Sequence, residues 1–166
     1  GTFSKLESNT LTLSGNNTYT GTTTIGAGTL AVSGGLSNST QLTVASNAVY
    51  RVDASDTIAS IEGAGSITTG AGSGSVTLTA NMANTLTKTY SGVMSDGANA
   101  ILAFVKSGTG KLILTGVNTY SGGTTLTAGT LTLGSSETLL NTGVVNISGG
   151  TFPLGHFNQT VGSTTL

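Results

Sequence analysis

The sequence predicts an all-β chain wound as a right-handed parallel β-helix, a solenoid with about 19–20 residues per coil. Three observations carry this expectation: apolar residues that recur at a spacing of 19, short stretches that alternate apolar and small polar side chains, and a Gly- and Thr-rich composition with little charge. Charged residues make up 7% of the chain, against roughly 25% in an average globular protein. Disorder usually goes with high charge and few β-branched residues. Here Val, Ile, Leu and Thr are abundant and the mean hydropathy is +0.22, so a packed core is expected. The 26 glycines suit short strands joined by tight turns.

The strands are expected where the alternation is cleanest: Leu11-Thr12-Leu13, Leu30-Ala31-Val32, Val76-Thr77-Leu78 and Leu131-Thr132-Leu133. Period-2 alternation puts Leu and Val on one face and Thr on the other. Leu11, Leu30 and Val49 are 19 apart, Ile67 and Leu86 continue the series within one residue, and Leu112 and Leu131 repeat the spacing. Gly34-Gly35, Gly70-Ala71-Gly72 and Gly149-Gly150 punctuate the pattern as turns. A sandwich or barrel would bring strands closer together in sequence, at roughly 8–12 residues. A solenoid, in which each coil stacks on the next and like residues meet (Leu on Leu inside, Asn on Asn at corners), accounts for the longer spacing and for the small side-chain alphabet.

A longer repeat overlies the short one. Asn17–Leu30, NTYTGTTTIGAGTL, returns 101 positions later as Asn118–Leu131, NTYSGGTTLTAGTL. At the same offset Phe3 meets Phe104, Lys5 meets Lys106, and Leu11–Gly15 meets Leu112–Gly116. After about two inserted residues the match resumes as Leu42-Thr43-Val44 on Val145-Asn146-Ile147. The organisation expected is a single β-helix segment over 1–166, with one long unit at 1–101 of about five coils and a partial second at 102–166.

Residues 104–133, FVKSGTGKLILTGVNTYSGGTTLTAGTLTL, resemble the passenger-associated repeat of bacterial type V autotransporter and adhesin proteins. Lys106, Gly108, Gly110, Leu112, Leu114, Gly116, Asn118, Thr119, Tyr120, Gly122, Thr124, Leu126, Gly129 and Leu131 fill the places of its motif. The first copy keeps Lys5, Leu11, Leu13, Gly15, Asn17, Thr18, Tyr19, Gly21, Gly28 and Leu30, and departs from it at Glu7 and Asn9. The resemblance implies a β-helical stalk, extracellular and displayed at a Gram-negative outer membrane through a translocator that these residues do not contain. It also implies a repeat associated with passage across that membrane rather than with catalysis.

Composition and motif searches point away from other chemistries. Five scattered Lys and Arg make no basic stripe for nucleic acid, and no apolar run approaches the roughly 20 residues that span a bilayer, so direct membrane insertion is not expected. Without Cys there is neither a disulfide framework nor a thiolate metal site. The single histidine, His156, has no nucleophile-elbow motif to serve. Asp53 and Asp56 are near in sequence, but i and i+3 on a strand face opposite ways, so Asp56 is read as a turn cap before Thr57. Gly70–Ser75 lacks both the Walker lysine and a calcium-repeat aspartate. No enzyme, cofactor or metal site is expected.

The principal expectation is therefore a structural stalk segment. Two other classes remain open: a binding module for glycans or cell-surface proteins, and a fibre subunit associating end to end. Tyr19 and Tyr120, at equal places in the two copies, admit two readings, a glycan-stacking platform or a cover over the apolar edge of a coil, and the cover is preferred.

Overall fold

Where Leu, Ile and Val alternate with Thr and Ser the chain is extended, and each extended stretch finds its partner one turn further along. The computed structural model describes residues 1–140 and 142–165. Among these, all strand pairs are parallel, and they form three sheets. Sheet 1 carries β1 (Phe3–Lys5), β3 (Thr23–Ile25), β5 (Gln41–Val44), β8 (Ser60–Gly63), β11 (Thr87–Tyr90), β14 (Lys111–Leu114) and β16 (Thr130–Leu133). Sheet 2 carries β2 (Thr10–Leu13), β4 (Thr29–Val32), β6 (Val49–Val52), β9 (Ser66–Thr69) and β12 (Met94–Ser95). Sheet 3 carries β7 (Asp56–Ile58), β10 (Gly74–Asn81), β13 (Ala100–Ser107), β15 (Thr124–Leu126), β17 (Val144–Ile147) and β18 (Ser163–Thr165).

From β7 to β14 the chain visits sheets 3, 1 and 2 in strict rotation. This is a three-sided parallel β-solenoid. Its eighth turn is reached where Thr151 bridges to Thr130 of β16. The core fills the prism between the sheets. Ile25, Leu42 and Ile61 come from sheet 1, Leu30, Tyr50 and Ile67 from sheet 2, and Leu78, Phe104 and Leu126 from sheet 3, all fully buried.

Register refines the expected spacing. Leu11 lies on Leu30 and Leu112 on Leu131, as the 19-residue interval implies. Above Leu30 the column runs through Tyr50, Ile67 and Met94 rather than Val49 and Leu86. One residue is added between β4 and β6, which moves Val49 onto Thr29. Two coils are wider: Gly63 pairs with Tyr90, 27 residues on, and Thr87 with Lys111, 24 on. The extra length goes into turns around 70–73 and 96–99 and into the two eight-residue strands β10 and β13.

These wider coils change the meaning of the 101-residue repeat. It spans four and two-thirds coils, from sheet 1 of the first coil (β1) to sheet 3 of the fifth (β13), and not five. Matching strands consequently lie on different sides of the prism. β1 and β3 are in sheet 1, whereas their sequence equivalents β13 and β15 are in sheet 3. β2 and β4 are in sheet 2, whereas β14 and β16 are in sheet 1. The NTY phrase occupies the strandless third side in both copies, and that side also shifts by one face.

Phe104 is the largest apolar side chain of the sheet 3 column, set between Leu78 below and Thr124 above. Phe104→Ala is expected to lower unfolding free energy by about 3–5 kcal/mol, read from the urea midpoint. Thr125→Ala, outward on the neighbouring strand, should change it by no more than about 0.5 kcal/mol.

Candidate functional site: polar locks between coils

A stacked coil offers its backbone to its neighbours along each strand, but at the corners the ladder breaks and carbonyl and amide groups need other partners. In this chain they are met by polar side chains, and the repeated motif supplies Lys and Asn for this in both copies.

Asn118 is the clearest case. Its side chain is fully buried. Nδ2 donates to the carbonyls of Gly116 and of Thr138 in the next coil, each at 3.0 Å, and Oδ1 accepts the Met94 N–H of the preceding coil at 2.8 Å. One amide thus bonds three successive coils and leaves none of these groups open. Asn17 repeats the arrangement with Gly15 and Gly35 at 2.8 and 2.9 Å. The Asn-on-Asn stacking expected at corners is not seen at these two positions, because the side-chain amides bond backbone carbonyls of their own and the next coil instead.

Lys106 is the second lock. It stands in an inward column between Ala80 and Leu126 and is fully buried. Its Nζ donates to the carbonyls of Ser107, Gly108 and Ala128 at 2.7, 2.8 and 3.3 Å. Three donors meet three acceptors, so the ammonium closes the corner of its own coil onto the next. Burial lowers its pKa to about 8. Lys5 makes the equivalent contacts to the carbonyls of Glu7 and Ala27. The acidic Glu7, which departs from the motif, therefore enters the lock through its backbone carbonyl.

Tyr120 is buried, with its hydroxyl against Thr124 Oγ1 at 2.6 Å and its ring tilted on Phe104 at 6.5 Å. Tyr19 repeats both contacts, to Thr23 at 3.0 Å and stacked on Phe3 at 5.9 Å. The rings cover the coil interior, so Tyr120 has no face free to stack on a sugar. The motif glycines mark close approaches. A Cβ at Gly116 would strike the carbonyl of Gly92, and Gly129, at φ 73°, would place one on the Gly108 carbonyl. Gly28 holds the matching left-handed turn in the first copy. Backbone amides complete the set: Gly122 donates to Leu102, Gly21 to Gly1, Gly110 to Met82 and Thr119 to Met94, at 2.9–3.0 Å. Leu112, Leu114, Leu126 and Leu131 fill the core with Leu30.

Other locks lie outside the repeated motif. Asp56 faces inward, accepts the Thr57 N–H at 2.9 Å as the cap reading requires, and also accepts the Leu36 N–H at 3.1 Å and the Tyr50 hydroxyl at 2.6 Å. Burial raises its pKa, offset in part by these donors, and burial beside Asp56 raises that of Tyr50. Asp96 accepts from Leu102 and Ser121, at 2.7 and 3.0 Å. Gln159 pairs with both backbone groups of Leu139, at 2.8 and 3.0 Å. The cap on Thr57 was legible in the sequence, but the longer-range bonds of Asp56, Asp96 and Gln159 carry no sequence signal.

The structure does not gather the acidic residues into a site. Asp53 pairs with Arg51 and Glu62 with Lys88, at 2.8 and 2.9 Å. His156 is exposed in the 154–158 turn. Among the described residues no group of three His, Cys, Asp or Glu is placed to hold a metal, and no helix is long and apolar enough to cross a membrane.

A three-sided parallel solenoid whose corners are locked from within by repeated Lys, Asn and Tyr is the class that this fold and site define. Two stretches, residues 3–32 and 104–133, match the family model described as the passenger-associated-transport-repeat. No curated protein and no solved structure matches the chain.

Two predictions follow from the locks. Asn118→Ala leaves the buried Met94 amide without a partner, at about 1–3 kcal/mol, and removes the side-chain bonds to the Gly116 and Thr138 carbonyls, of which Thr138 keeps the Asn118 backbone N–H. It should lower the urea midpoint far more than Asn17→Ala, whose Oδ1 joins no second coil. For Lys106, the folded pKa of about 8 lies below the ordinary 10.5. The unfolded chain then binds the proton more tightly, so stability should rise between pH 8 and about 10. Above pH 10 it should fall, because buried Tyr50, Tyr90 and Tyr120 have raised values and ionise only on unfolding. Urea melts across this range should show the rise in the native chain and lose it in Lys106→Met, with the fall at high pH retained.

Proposed function

We propose that this segment is a stalk of a bacterial autotransporter passenger, a stiff β-solenoid that supports export and holds other modules away from the outer membrane surface. The observation that carries the reading is the direction in which the repeated residues point. Lys106, Asn118, Tyr120 and the motif leucines are buried between coils, and the two copies face different sides of the prism. A motif selected for a surface would keep its residues outside and on one side. This one specifies cohesion from coil to coil.

Cohesion of that kind suits vectorial folding. Each emerging coil finds a finished template, pairs its strands in parallel, and joins it through the Asn and Lys bonds that cross between adjoining coils. A docked coil cannot slip back through a narrow pore, so folding outside the cell biases transport outward. The segment itself performs no catalysis in this reading: Asp53 and Glu62 are in ion pairs, and Asp56 and Asp96 hold corner amides. In a passenger carrying this segment, Leu112→Asp with Leu114→Asp should reduce surface display several-fold at unchanged synthesis, measured by antibody labelling of intact cells. Unchanged display would overturn the proposal.

A further inference from the structure

The three sides of the prism differ in charge. Sheet 1 presents Glu62, Lys88 and Lys111, and sheet 2 presents Arg51 beside Asp53. Sheet 3 has two charged side chains within its strands, Asp56 and Lys106, and both point inward to bond backbone. Its outward surface is free of charge among the described residues. Register aligns Thr57, Thr79, Val105, Thr125, Asn146 and Thr165 in one row across the six strands. Neighbouring members are one strand spacing apart, about 4.8 Å.

This row contrasts with the buried locks. The hydroxyls of Thr57, Thr79 and Thr125 bond no other described residue, whereas Thr124, one position away and inward, is taken by Tyr120. A second polar row, Asn81, Ser107 and Thr127, runs beside the first, and Ile101 and Val144 stand on the same face 44% and 48% exposed. At the β7 end the face runs into an open hollow of about 470 Å³, lined by Asn16, Thr18, Asn38, Ser55 and Thr57 and by Asp56, which is 7% exposed and whose carboxylate is taken up by Leu36, Tyr50 and Thr57. The hollow exists because the first two coils have no strand on this side.

We propose that the outward face of sheet 3 is a docking surface for a neutral polysaccharide. The chemistry selects the partner. An uncharged face gains nothing from an ionic polymer, whereas free hydroxyls and amides interleaved with methyl groups match the alternating O–H and C–H edges of sugar rings. The hollow favours a chain over a plane, because an ice surface or a second flat sheet would leave it unfilled while a polysaccharide end can descend into it. The proposal stands apart from the stalk reading and does not depend on export.

The repeat supplies its own control. Thr24 and Thr125 are equivalent in the two copies and lie in the same local sequence, yet Thr24 is outward on sheet 1 and Thr125 on sheet 3. The purified chain should be retained on microcrystalline cellulose or on insoluble starch, and equally so at 0.15 M and 1 M salt, because screening does not weaken neutral contacts. Thr79→Lys with Thr125→Lys should reduce retention at least tenfold, and Thr24→Lys with Thr43→Lys should leave it unchanged. Circular dichroism reports whether each pair is folded. If the sheet 3 pair does not fold, Thr79→Ser with Thr125→Ser, which removes only methyl groups, should still weaken retention. Failure of the native chain on both polymers, or equal loss from both faces, would overturn the proposal. Shaping of ice crystals, or a dimer abolished by the sheet 3 pair in place of retention, would overturn it in favour of those partners.

Discussion

Everything in this molecule depends on one constraint: each coil must lie on the previous one at the spacing of a parallel strand pair, roughly 4.8 Å. At that distance the backbone of one turn is the immediate neighbour of the next, and an inward side chain shares its column with the residues directly above and below. The glycines at 116 and 129 follow from it, because a Cβ at either position would overlap the carbonyl of the coil beneath. So does the low charge, since like charges in one column would be stacked at contact. Among the described residues, the Lys88–Glu62 pair joins strands β11 and β8 of neighbouring coils with charges of opposite sign.

The same constraint explains why so many polar side chains are inside. Along a strand, parallel pairing satisfies the backbone. At a corner it cannot, because the chain changes direction there and its carbonyls splay. Asn118 and Lys106 each supply a compact set of donors at such a point, and both find an acceptor for every donor used. Buried polar groups satisfied in this way specify register: sliding a coil by one residue would leave the Lys106 ammonium facing apolar neighbours and the Met94 amide unpaired. The apolar columns are more permissive, since Leu, Ile, Met, Tyr and Phe exchange places within them.

That difference sets how much was legible beforehand. Fold class was readable because alternation and a near-constant coil length are properties of the backbone path, and the Leu11–Leu30 and Leu112–Leu131 contacts follow the 19-residue interval directly. The column above Leu30 was not, because an inserted residue costs nothing locally, and Tyr50 serves the core as well as Val49 would. The motif residues were legible as a set, and for the tyrosines the reading as a cover over a coil edge was preferred. Only the register shows which neighbouring coils Asn118 and Lys106 bond. Asp56 was legible as a cap on Thr57, but its bond to Leu36 was not, and Asp96 gave no sign of its bond to Ser121, because those amides lie far along the chain.

The displacement of the second copy by one face is the consequence that sequence comparison cannot reach. Two stretches with nearly the same residues share their strands and most of their internal bonds, but their outward residues look in different directions. A step of four and two-thirds coils means that three such steps, fourteen coils, would restore the original side. Identity between copies therefore describes what holds a coil to its neighbours, and differences between the sides describe what the solenoid presents. Thr24 and Thr125 make the separation concrete. One stands two positions along its row from Glu62, and the other lies in a row without charge, so their chemistry toward a partner is set by their neighbours and not by the motif that contains them.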